Sequence, residues 1–472
     1  MAILRNRFWQ PFSGVVALSL LAAGCSSNPV SGLFSRGDSD ITAEAAAAAE
    51  NEDRIPVLAL TQQLEPDPRF IGLEIEVPPA FANAEWAQPG GEADHVMHHL
   101  SGPESYRLAW QANIGKGGKT KSPLTAPPIV AERRVYTIDA EAKVRAFDTD
   151  TGERVWEAAL TPDVSEPNKK FWQLGRINPA EIGYGGGVAY QGGTVFVVSG
   201  FGFAAALNAE TGEKIWEKQL PAPVRNPPTA VDGRVYVITT ANQVLALDEA
   251  TGRELWTYES FEESARFLST GSAAVEGDLV VTPFSSGEIA ALDASTGRFL
   301  WTATIARSSR MNALSSINDI AGSPVIDRGA VFAVSHSGQM AAIDGRTGRV
   351  AWEKGVSGLN MPWVAGDYLF LISTDGDLVA LSRNDGAVVW RTGLKGYENE
   401  KKKKKRITWS GPILAGNSLL LTSSAGDLAQ ISPKDGTVEK TYRLKAGTMI
   451  PPVVADGTVY VITDDAKLQA WR

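Results

Sequence analysis

The chain has 472 residues, of which 43% are hydrophobic and 21% charged, so it is long enough and apolar enough to bury a large core. Its formal net charge of −9 argues against nucleic acid as a partner, because phosphate contacts need a basic surface. The single cysteine excludes a disulfide within the chain, so packing has to stabilise the fold.

Residues 1–24 have the features of a secretory signal. Arg5 and Arg7 precede the uncharged stretch "FSGVVALSLLAAG", Phe12–Gly24. This stretch is too short to cross a bilayer, which takes ~20 helical residues. A positive start, a short apolar run and small residues at the end are typical of a signal peptide.

The predicted signal ends at Cys25, the only cysteine of the chain. The stretch "LAAGC" resembles the signal of bacterial lipoproteins, which implies that cleavage leaves the thiol of Cys25 to carry a diacylglycerol. Ser26 stands where an Asp often marks retention in the inner membrane, so the resemblance implies the outer membrane. The alternative is an ordinary cleaved signal that leaves a free cysteine.

Two further segments precede the repeats. Residues 25–54 are poor in large apolar side chains, so they cannot bury enough surface to offset chain entropy, and we predict a disordered tether behind the lipid. Residues 55–105 alternate in places like extended strand, and we expect an irregular strap along the outside of the domain that follows. That domain spans residues 106–472.

A short pattern recurs throughout this domain. The stretch "AFDTDTGERVW" (Ala146–Trp156) returns as "ALNAETGEKIW", "ALDEATGRELW", "ALDASTGRFLW" and "AIDGRTGRVAW". Apolar and polar residues alternate before each copy, and glycines break the alternation, which predicts four short antiparallel strands per unit. Units of roughly 40–45 residues with four strands are typical of β-propeller blades.

The units predict an all-β, eight-bladed β-propeller. They begin near Pro127, Gly187, Pro227, Gly271, Gly322, Met361, Gly411 and Pro451. The last unit ends after its third strand, whereas "YRLAWQANIG" (Tyr106–Gly115) has the pattern of a fourth strand without a blade. We expect the two to share one blade and close the ring, which removes the open sheet edge of a linear array.

The motif itself predicts a structural role. Its Asp can accept hydrogen bonds from the turn, Thr-Gly supplies the reversal, and the Trp can lie flat against the turn of the next blade. The predicted blade-docking residues are Trp110, Trp156, Trp216, Trp256, Trp301, Trp352 and Trp390. Two late copies, "LSRNDGAVVW" and "ISPKDGTVEK", lose parts of the motif, and we expect looser docking there.

This repeat resembles the tryptophan-docking motif of the quinoprotein propellers, which use pyrroloquinoline quinone (PQQ). Some members of that family are periplasmic PQQ-dependent dehydrogenases, and many alcohol dehydrogenases among them cap the quinone with adjacent cysteines. A chain with one cysteine cannot form that cap, and it has no Cys-x-x-Cys-His haem motif. We therefore predict no cofactor and no enzymatic activity; the alternative is a quinoprotein dehydrogenase or a ligand-binding propeller.

An exported eight-bladed propeller of this kind, with "EWAQPGG" (Glu85–Gly91) before its first blade, resembles the BamB family. The resemblance implies a non-catalytic lipoprotein scaffold of the outer-membrane β-barrel assembly (BAM) machinery, facing the periplasm. Its partners would be the barrel-forming subunit BamA, the other BAM lipoproteins and unfolded outer-membrane proteins. A scaffold for a different envelope complex is the remaining alternative.

The resemblance also implies where the partner binds. In "SARFLSTGSAA" the chain keeps Leu268 of the family pattern Leu-x-Leu-Arg, and in "INDIAGSP" it keeps Asp319 of Asp-x-Asp. We predict that Leu268, Asp319 and the neighbouring Arg266 or Arg310 contact BamA. The alternative for Asp319 is a turn residue that caps local backbone.

Three remaining features have weaker implications. The run Lys401–Lys405 with Arg406 predicts a solvated loop or a contact with anionic lipid or an acidic partner. His95, His98 and His99 lack an acid or thiol cluster, so we predict no metal site. The long insert Asp163–Gly187 contains Phe171 and Trp172, which line a binding surface or seal the propeller face.

Overall fold

The computed structural model describes residues 64–118, 123–160, 184–260, 271–305, 320 and 322–472, and the account below concerns these residues. They form eight four-stranded antiparallel sheets and one two-stranded sheet. The predicted all-β, eight-bladed propeller is therefore confirmed. The predicted signal, Cys25 and the tether lie outside the described residues.

The blades follow one another along the chain. Blade 1 contains β2 to β5, and each later blade continues the count. The first half of the chain contains β1 Leu108–Asn113, β2 Ile129–Ala131, β3 Arg134–Ile138, β4 Lys143–Asp148, β5 Arg154–Ala159, β6 Gly186–Gln191, β7 Thr194–Ser199, β8 Phe203–Asn208, β9 Lys214–Gln219, β10 Thr229–Val231, β11 Arg234–Ile238, β12 Gln243–Asp248, β13 Glu254–Glu259, β14 Ala274–Glu276, β15 Leu279–Pro283, β16 Glu288–Asp293 and β17 Phe299–Thr304.

The part of the chain from residue 325 onward forms blades 5 to 7, a two-stranded hairpin and the three remaining strands of blade 8. It contains β18 Val325–Asp327, β19 Ala330–Val334, β20 Met340–Asp344, β21 Val350–Lys354, β22 Trp363–Ala365, β23 Tyr368–Ile372, β24 Asp377–Ser382, β25 Val388–Gly393, β26 Tyr397–Asn399, β27 Lys404–Arg406, β28 Trp409–Ala415, β29 Ser418–Ser423, β30 Asp427–Ile431, β31 Val438–Arg443, β32 Val453–Ala455, β33 Thr458–Thr463 and β34 Lys467–Trp471. Short 3-10 turns occupy Pro68–Phe70 and Glu400–Lys402.

The ring closes through blade 8. Strand β1 pairs antiparallel with β34, so that the sheet order is β1-β34-β33-β32. The first described strand of the chain is thus the outer strand of the last blade, as the incomplete final repeat predicted. Closure of this kind leaves no blade at the end of an array.

The core lies between neighbouring blades. Inner strands such as β11 are buried on both faces. Residues of outer strands such as β13 are mostly exposed, and only some of them are buried. Val198 and Ala206 of blade 2, for example, pack with Val235 and Leu247 of blade 3 in one buried cluster. Period-two apolar residues therefore face a second sheet, which is how a propeller buries its strands.

An indole joins each of seven blade pairs. The indole nitrogen donates a hydrogen bond of 2.8–3.0 Å to a carbonyl in the turn between the third and fourth strands of the next blade. The pairs are Trp110–Thr149, Trp156–Ala209, Trp216–Glu249, Trp256–Ala294, Trp301–Gly345, Trp352–Arg383 and Trp390–Pro433. The repeated Trp therefore supplies both apolar area and a satisfied donor at every one of these joints.

The same turns explain the Asp and the Gly of the motif. Asp293 accepts hydrogen bonds from the backbone and hydroxyl of Thr296, at 3.0 and 2.8 Å. Hydrogen bonds from Ser295 and Thr296 lower the pKa of Asp293 to about 2. Gly297 has a φ of +70°, and a Cβ there would lie 2.6 Å from the Trp256 ring. Only glycine meets both the backbone and the packing requirement.

The degenerate late turns keep their docking contacts. In blade 6 the carbonyl of Arg383 still accepts from Trp352, and the Arg383 guanidinium donates to the Asp327 carbonyl at 2.6 Å and pairs with its carboxylate. Both side chains are buried, and the guanidinium lies 5.2 Å from the Phe332 ring centre. A buried ion pair thus joins blades 5 and 6 beside the turn that lacks the Asp and Thr of the motif.

The joint between blades 7 and 8 has no indole of this type, because Lys440 occupies the Trp position of the seventh repeat. Here Tyr442 stacks on Tyr106 with ring centres 5.3 Å apart and packs against Trp471 at 6.0 Å. An aromatic cluster that includes Tyr106, just before the closing strand, therefore replaces the repeated contact.

The segment before the propeller lies partly outside and partly inside the ring. Near the rim, the Asp67 amide donates to Val388 and Glu74 pairs with Lys434. Residues 81–101, which we call the strap, then pass inside the ring. The first strands β2, β6, β10, β14 and β18 contact one another in series, so they are the innermost strands. The strap lies against them.

The strap makes a hydrogen bond to the first strand of every blade. Most of these bonds use the backbone of the middle residue of that strand, which otherwise forms an open inner edge. In blade order the pairs are Trp86–Val130, Ala87–Tyr190, Gln88–Ala230, Ala93–Val275, Asp94–Ile326, His98–Trp363 (through its indole), Leu100–Leu414 and Asn83–Val454, at 2.7–3.0 Å. Inner edges that lack a strand partner are satisfied in this way.

The strap also fills the centre of the ring. Trp86 stacks on Trp363 of blade 6 with ring centres 6.2 Å apart and planes 12° apart. The buried Gln88 amide donates to Tyr190 and Ala230 and accepts from the Ala230 amide. His95 is buried, its Nδ1 lies 2.7 Å from the Pro324 carbonyl oxygen, and burial lowers its pKa to about 4.

Truncation of one docking indole tests its contribution. We expect Trp256→Ala to lower the free energy of unfolding by about 3–5 kcal/mol, because it empties a packed joint. Trp256→Phe keeps an aromatic ring but removes the indole donor to the Ala294 carbonyl, which then accepts only from the Tyr236 hydroxyl at 3.4 Å. We expect a loss of about 1 kcal/mol. Denaturant unfolding measures both. The exposed neighbour Leu255→Ala is the control and should change stability by less than about 0.5 kcal/mol.

Acid should weaken the fold through His95. The unfolded chain takes up a proton near pH 6.5 that the folded chain excludes until about pH 4, so stability is lost as pH falls through this window. From pH 6.5 to 5 we expect His95 to account for about 2 kcal/mol of lost unfolding free energy. His95→Gln can still donate to Pro324 but cannot titrate. An equally steep pH dependence in this variant would contradict the assignment.

Candidate partner-binding face

The two ends of the propeller differ in what they carry. Because the strands of each blade alternate in direction, the tight turns after the first and third strands lie at one end, which we call the turn face. The connections between blades and the turns after the second strands lie at the other end, which we call the loop face. A binding site can be built at either end, so their coverage decides between them.

The strap covers the centre of the turn face. Three of the turns between first and second strands donate a backbone hydrogen bond to it: Asn417 to His99 Nε2 at 3.2 Å, Asp456 to the Asn83 carbonyl at 2.7 Å and Glu132 to the Glu85 carboxylate at 3.2 Å. The backbone of the chain itself therefore occupies this end. The loop face is the end at which connections of varied length gather.

The predicted partner-contact residues belong to two connections between blades, whose described ends lie on the loop face. Arg266 and Leu268 lie between β13 and β14, and Arg310 and Asp319 lie between β17 and β18; all four lie outside the described residues. The described ends of both connections flank blade 4. The sequence places the four residues on either side of one blade, and their contacts stay a prediction.

The long insert before β6 is described only at its end. Phe171 and Trp172 lie outside the described residues. Tyr184 is held by Arg225, whose guanidinium lies 3.6 Å from the centre of the Tyr184 ring and also donates to the Tyr184 carbonyl. Burial lowers the pKa of Arg225. This cation–π pair fixes the point at which the insert rejoins the propeller.

The lysine run forms part of an ordered hairpin, which the sequence did not predict. Strands β26 and β27 pair between blades 6 and 7, and the 3-10 turn Glu400–Lys402 joins them. The turn is stabilised by Asn399, whose side chain accepts a hydrogen bond from the Lys402 amide at 3.0 Å. Lys403 follows with a φ of +47°. The hairpin lies on the loop face, because it belongs to the connection between β25 and β28.

The three histidines of the strap have structural roles. His99 Nδ1 lies 2.7 Å from the Pro78 carbonyl oxygen, and His98 Nε2 lies 3.8 Å from Asp327 Oδ1. Within the described ranges, no three or more His, Cys, Asp and Glu side chains are grouped as a metal site requires. In the same part of the chain, no helix is long and apolar enough to cross a membrane.

The outer strands of the blades offer a second kind of surface. Each has one edge that pairs with no strand of the described residues. Six of the eight carry at least one charged residue, which discourages pairing with other chains. Strands β1 and β17 carry none. In β17 the exposed Phe299 and Leu300 precede Trp301, Thr302 and Thr304, a composition that favours strand pairing.

Comparison with known proteins identifies the family. A family model described as the outer membrane protein assembly factor BamB matches residues 101–167, 140–392 and 394–471. BamB of Shewanella oneidensis is 26% identical over 260 residues, which are 55% of this chain and 64% of that protein. BamB of Yersinia pestis is 27% identical over 53% of this chain and 61% of its own length. The matches thus span less than two thirds of these curated relatives.

Solved structures share the fold. The crystal structure of BamB from Moraxella catarrhalis has a TM-score of 0.64 at 19% identity and covers 78% of this chain and 99% of its own. Quinohemoprotein alcohol dehydrogenase from Comamonas testosteroni has a TM-score of 0.61 at 14% identity and covers 86% of this chain and 82% of its own. An assembly factor and an enzyme therefore have the same ring, and these likenesses concern the fold alone.

The family model covers the propeller from just before its closing strand to the last strand, which is most of the chain. The protein therefore belongs to the BamB family of outer membrane protein assembly factors.

Proposed function

We propose that the protein is a non-catalytic scaffold subunit of the outer-membrane β-barrel assembly machinery, anchored by a lipid on Cys25 and facing the periplasm. It holds the barrel-forming, BamA-like subunit and aids the insertion of β-barrel proteins beside the other lipoproteins of the complex. The observation that carries the proposal is the family match over the whole propeller. The match with the quinohemoprotein enzyme supports the propeller fold and gives no support for an enzymatic activity.

The arrangement of the two faces supports a binding site on the loop face. The strap bonds to the inner edge of every blade and to three turns of the turn face, so an approaching partner meets the chain's own segment there. Leu268 and Asp319 belong to connections whose described ends lie on the loop face. Proteins built on rigid scaffolds place recognition residues on such connections, because their sequences are free of the demands of the core.

Unfolded outer-membrane proteins need a different kind of contact. An extended segment can add to an open sheet edge through backbone hydrogen bonds, with little demand on its sequence. Strand β17 is uncharged and belongs to blade 4, the blade flanked by the two predicted partner connections. We therefore assign substrate contact to the edge of β17, next to the partner-binding connections.

Substitutions in the two connections test the partner site. We expect Leu268→Glu combined with Asp319→Lys to reduce the BamA-like subunit recovered with the tagged, membrane-extracted protein by at least about tenfold, because buried contacts at an interface centre are worth more than 1.4 kcal/mol. Mass spectrometry of the mild-detergent pulldown measures the recovery.

The matched control places the same kinds of change on the turn face. Ile71→Glu introduces a charge at an exposed apolar residue that lies beside the turn of residues 432–435. Arg346→Glu reverses an exposed charge in the turn between β20 and β21. Recovery of the barrel-forming subunit should stay at the wild-type level in this control. Equal recovery with both double variants would remove the loop face from the partner site, and absence of the subunit from the wild-type pulldown would refute the proposed complex.

Photo-crosslinking tests the substrate edge. A photoreactive residue at Thr302 of β17 should crosslink to unfolded outer-membrane proteins more strongly than one at Thr257 of β13. The two threonines are matched: each follows the docking Trp, is exposed, and donates to a carbonyl of the neighbouring strand. Strand β13 carries Glu254 and Glu259, which disfavour added strands. Equal yields at both sites would argue against a preferred edge.

A further inference from the structure

The hairpin of residues 397–406 presents a concentrated positive charge on a rigid base. Lys401–Lys405 and Arg406 are all exposed, in a chain whose formal net charge is −9. The base is tied to the propeller by the Ile407 amide, which donates to Gly396 at 2.8 Å, and by the Trp409 indole, which donates to Lys395 at 3.0 Å. The lysines therefore extend from a fixed position on the loop face, between blades 6 and 7.

The hairpin neutralises little of this charge itself. Lys405 pairs with Glu398 at 2.8 Å, and the Glu400 carboxylate accepts from the backbone amides of Gly396 and Tyr397, both at 3.1 Å. The Arg406 guanidinium donates to the Thr374 carbonyl at 2.6 Å. Among the residues that the structure describes, no acidic side chain forms an ion pair with Lys401–Lys404. Four adjacent ammonium groups thus have no anion of their own.

The type of cation indicates the type of partner. Lysine is a point charge on a flexible stem, whereas arginine recognises individual carboxylates through a planar fork. The one arginine of the hairpin is already bonded to a carbonyl, and the turn at the tip, Glu400–Lys402 with Lys403, has no aromatic or large apolar side chain. Such a tip has no shape with which to select one protein surface. It fits a dense, mobile field of negative charges, as on an anionic bilayer.

We propose that the lysine hairpin binds the anionic phospholipid headgroups of a membrane surface and so sets which side of the propeller faces the bilayer. The proposal adds to the function proposed above and depends on it only for placing the chain beside a membrane. Its chemistry is electrostatic: the four ammonium groups attract headgroup phosphates within about a Debye length, ~8–10 Å at physiological salt.

Vesicle binding tests this proposal. The full mature chain carries Cys25→Ser, so that no acyl chain contributes, and is sedimented with vesicles that contain phosphatidylglycerol or with vesicles of phosphatidylcholine alone. We expect binding to the anionic vesicles only, weakening as salt is raised. Replacing four lysines by Gln should reduce the partition coefficient by about a hundredfold or more, because each basic residue near an anionic surface contributes several-fold. The four are Lys401, Lys402, Lys403 and Lys404.

The control removes the same number of charges from the turn face. It replaces by Gln four basic residues close to the turns between third and fourth strands: Lys214, Arg253, Arg346 and Lys434. This variant should bind anionic vesicles within about threefold of the parent, since its removed charges lie away from the hairpin. An unchanged unfolding midpoint in both variants shows that the fold is intact.

Three results would overturn the proposal. They are equal binding to both kinds of vesicle, equal losses in the hairpin and control variants, and unchanged vesicle binding of the hairpin variant. If that variant keeps vesicle binding but no longer recovers the barrel-forming subunit in the pulldown, the hairpin binds an acidic protein surface instead. Loss of vesicle binding with full recovery of the subunit supports the membrane contact and leaves the proposed complex intact.

Discussion

The propeller depends on a contact between an indole and a glycine. Each docking Trp lies on the glycine of the next blade's turn and donates to a carbonyl of the same turn, as Trp256 does with Gly297 and Ala294. The glycine must adopt a positive φ and must also lack a side chain, so two constraints fall on one residue. The Asp and Thr of the motif hold the turn in the shape that presents this surface. The similarity between the repeats therefore follows from the requirements of this one Trp–Gly contact.

This local joint is the reason that much of the fold can be predicted from the sequence. The strands, the number of blades and the closing role of β1 all follow from a short pattern that recurs at a regular spacing. Where a repeat loses parts of the motif, the sequence does not predict the contacts between blades. Arg383 pairs with Asp327 on the neighbouring blade, 56 residues away, and no local motif indicates this partner. The aromatic cluster of Tyr442, Tyr106 and Trp471 is equally non-local.

The strap and the hairpin show the limits of pattern analysis. Residues 81–101 have no periodicity, because they form hydrogen bonds with eight separate strands, mostly through their own backbone groups. Only the buried Trp86, Met97 and Leu100 indicate that this stretch is not an exterior segment. The lysine run suggests an extended loop because like charges repel. The cap at Asn399 and the folded base outweigh that repulsion. The candidate partner residues Leu268 and Asp319 rest on resemblance, since their connections contain no repeat.

The strap has a consequence for the order in which the molecule can be completed. Asn83 precedes blade 1 in the chain but bonds to Val454 of blade 8, a separation of 371 residues. The segment that is synthesised early therefore obtains its last partner only when the final blade has formed. Until then the ring is open, and its unpaired strand edges stay available to other strands, which favours aggregation. The strap can therefore form all of its hydrogen bonds only when every blade of the ring is present.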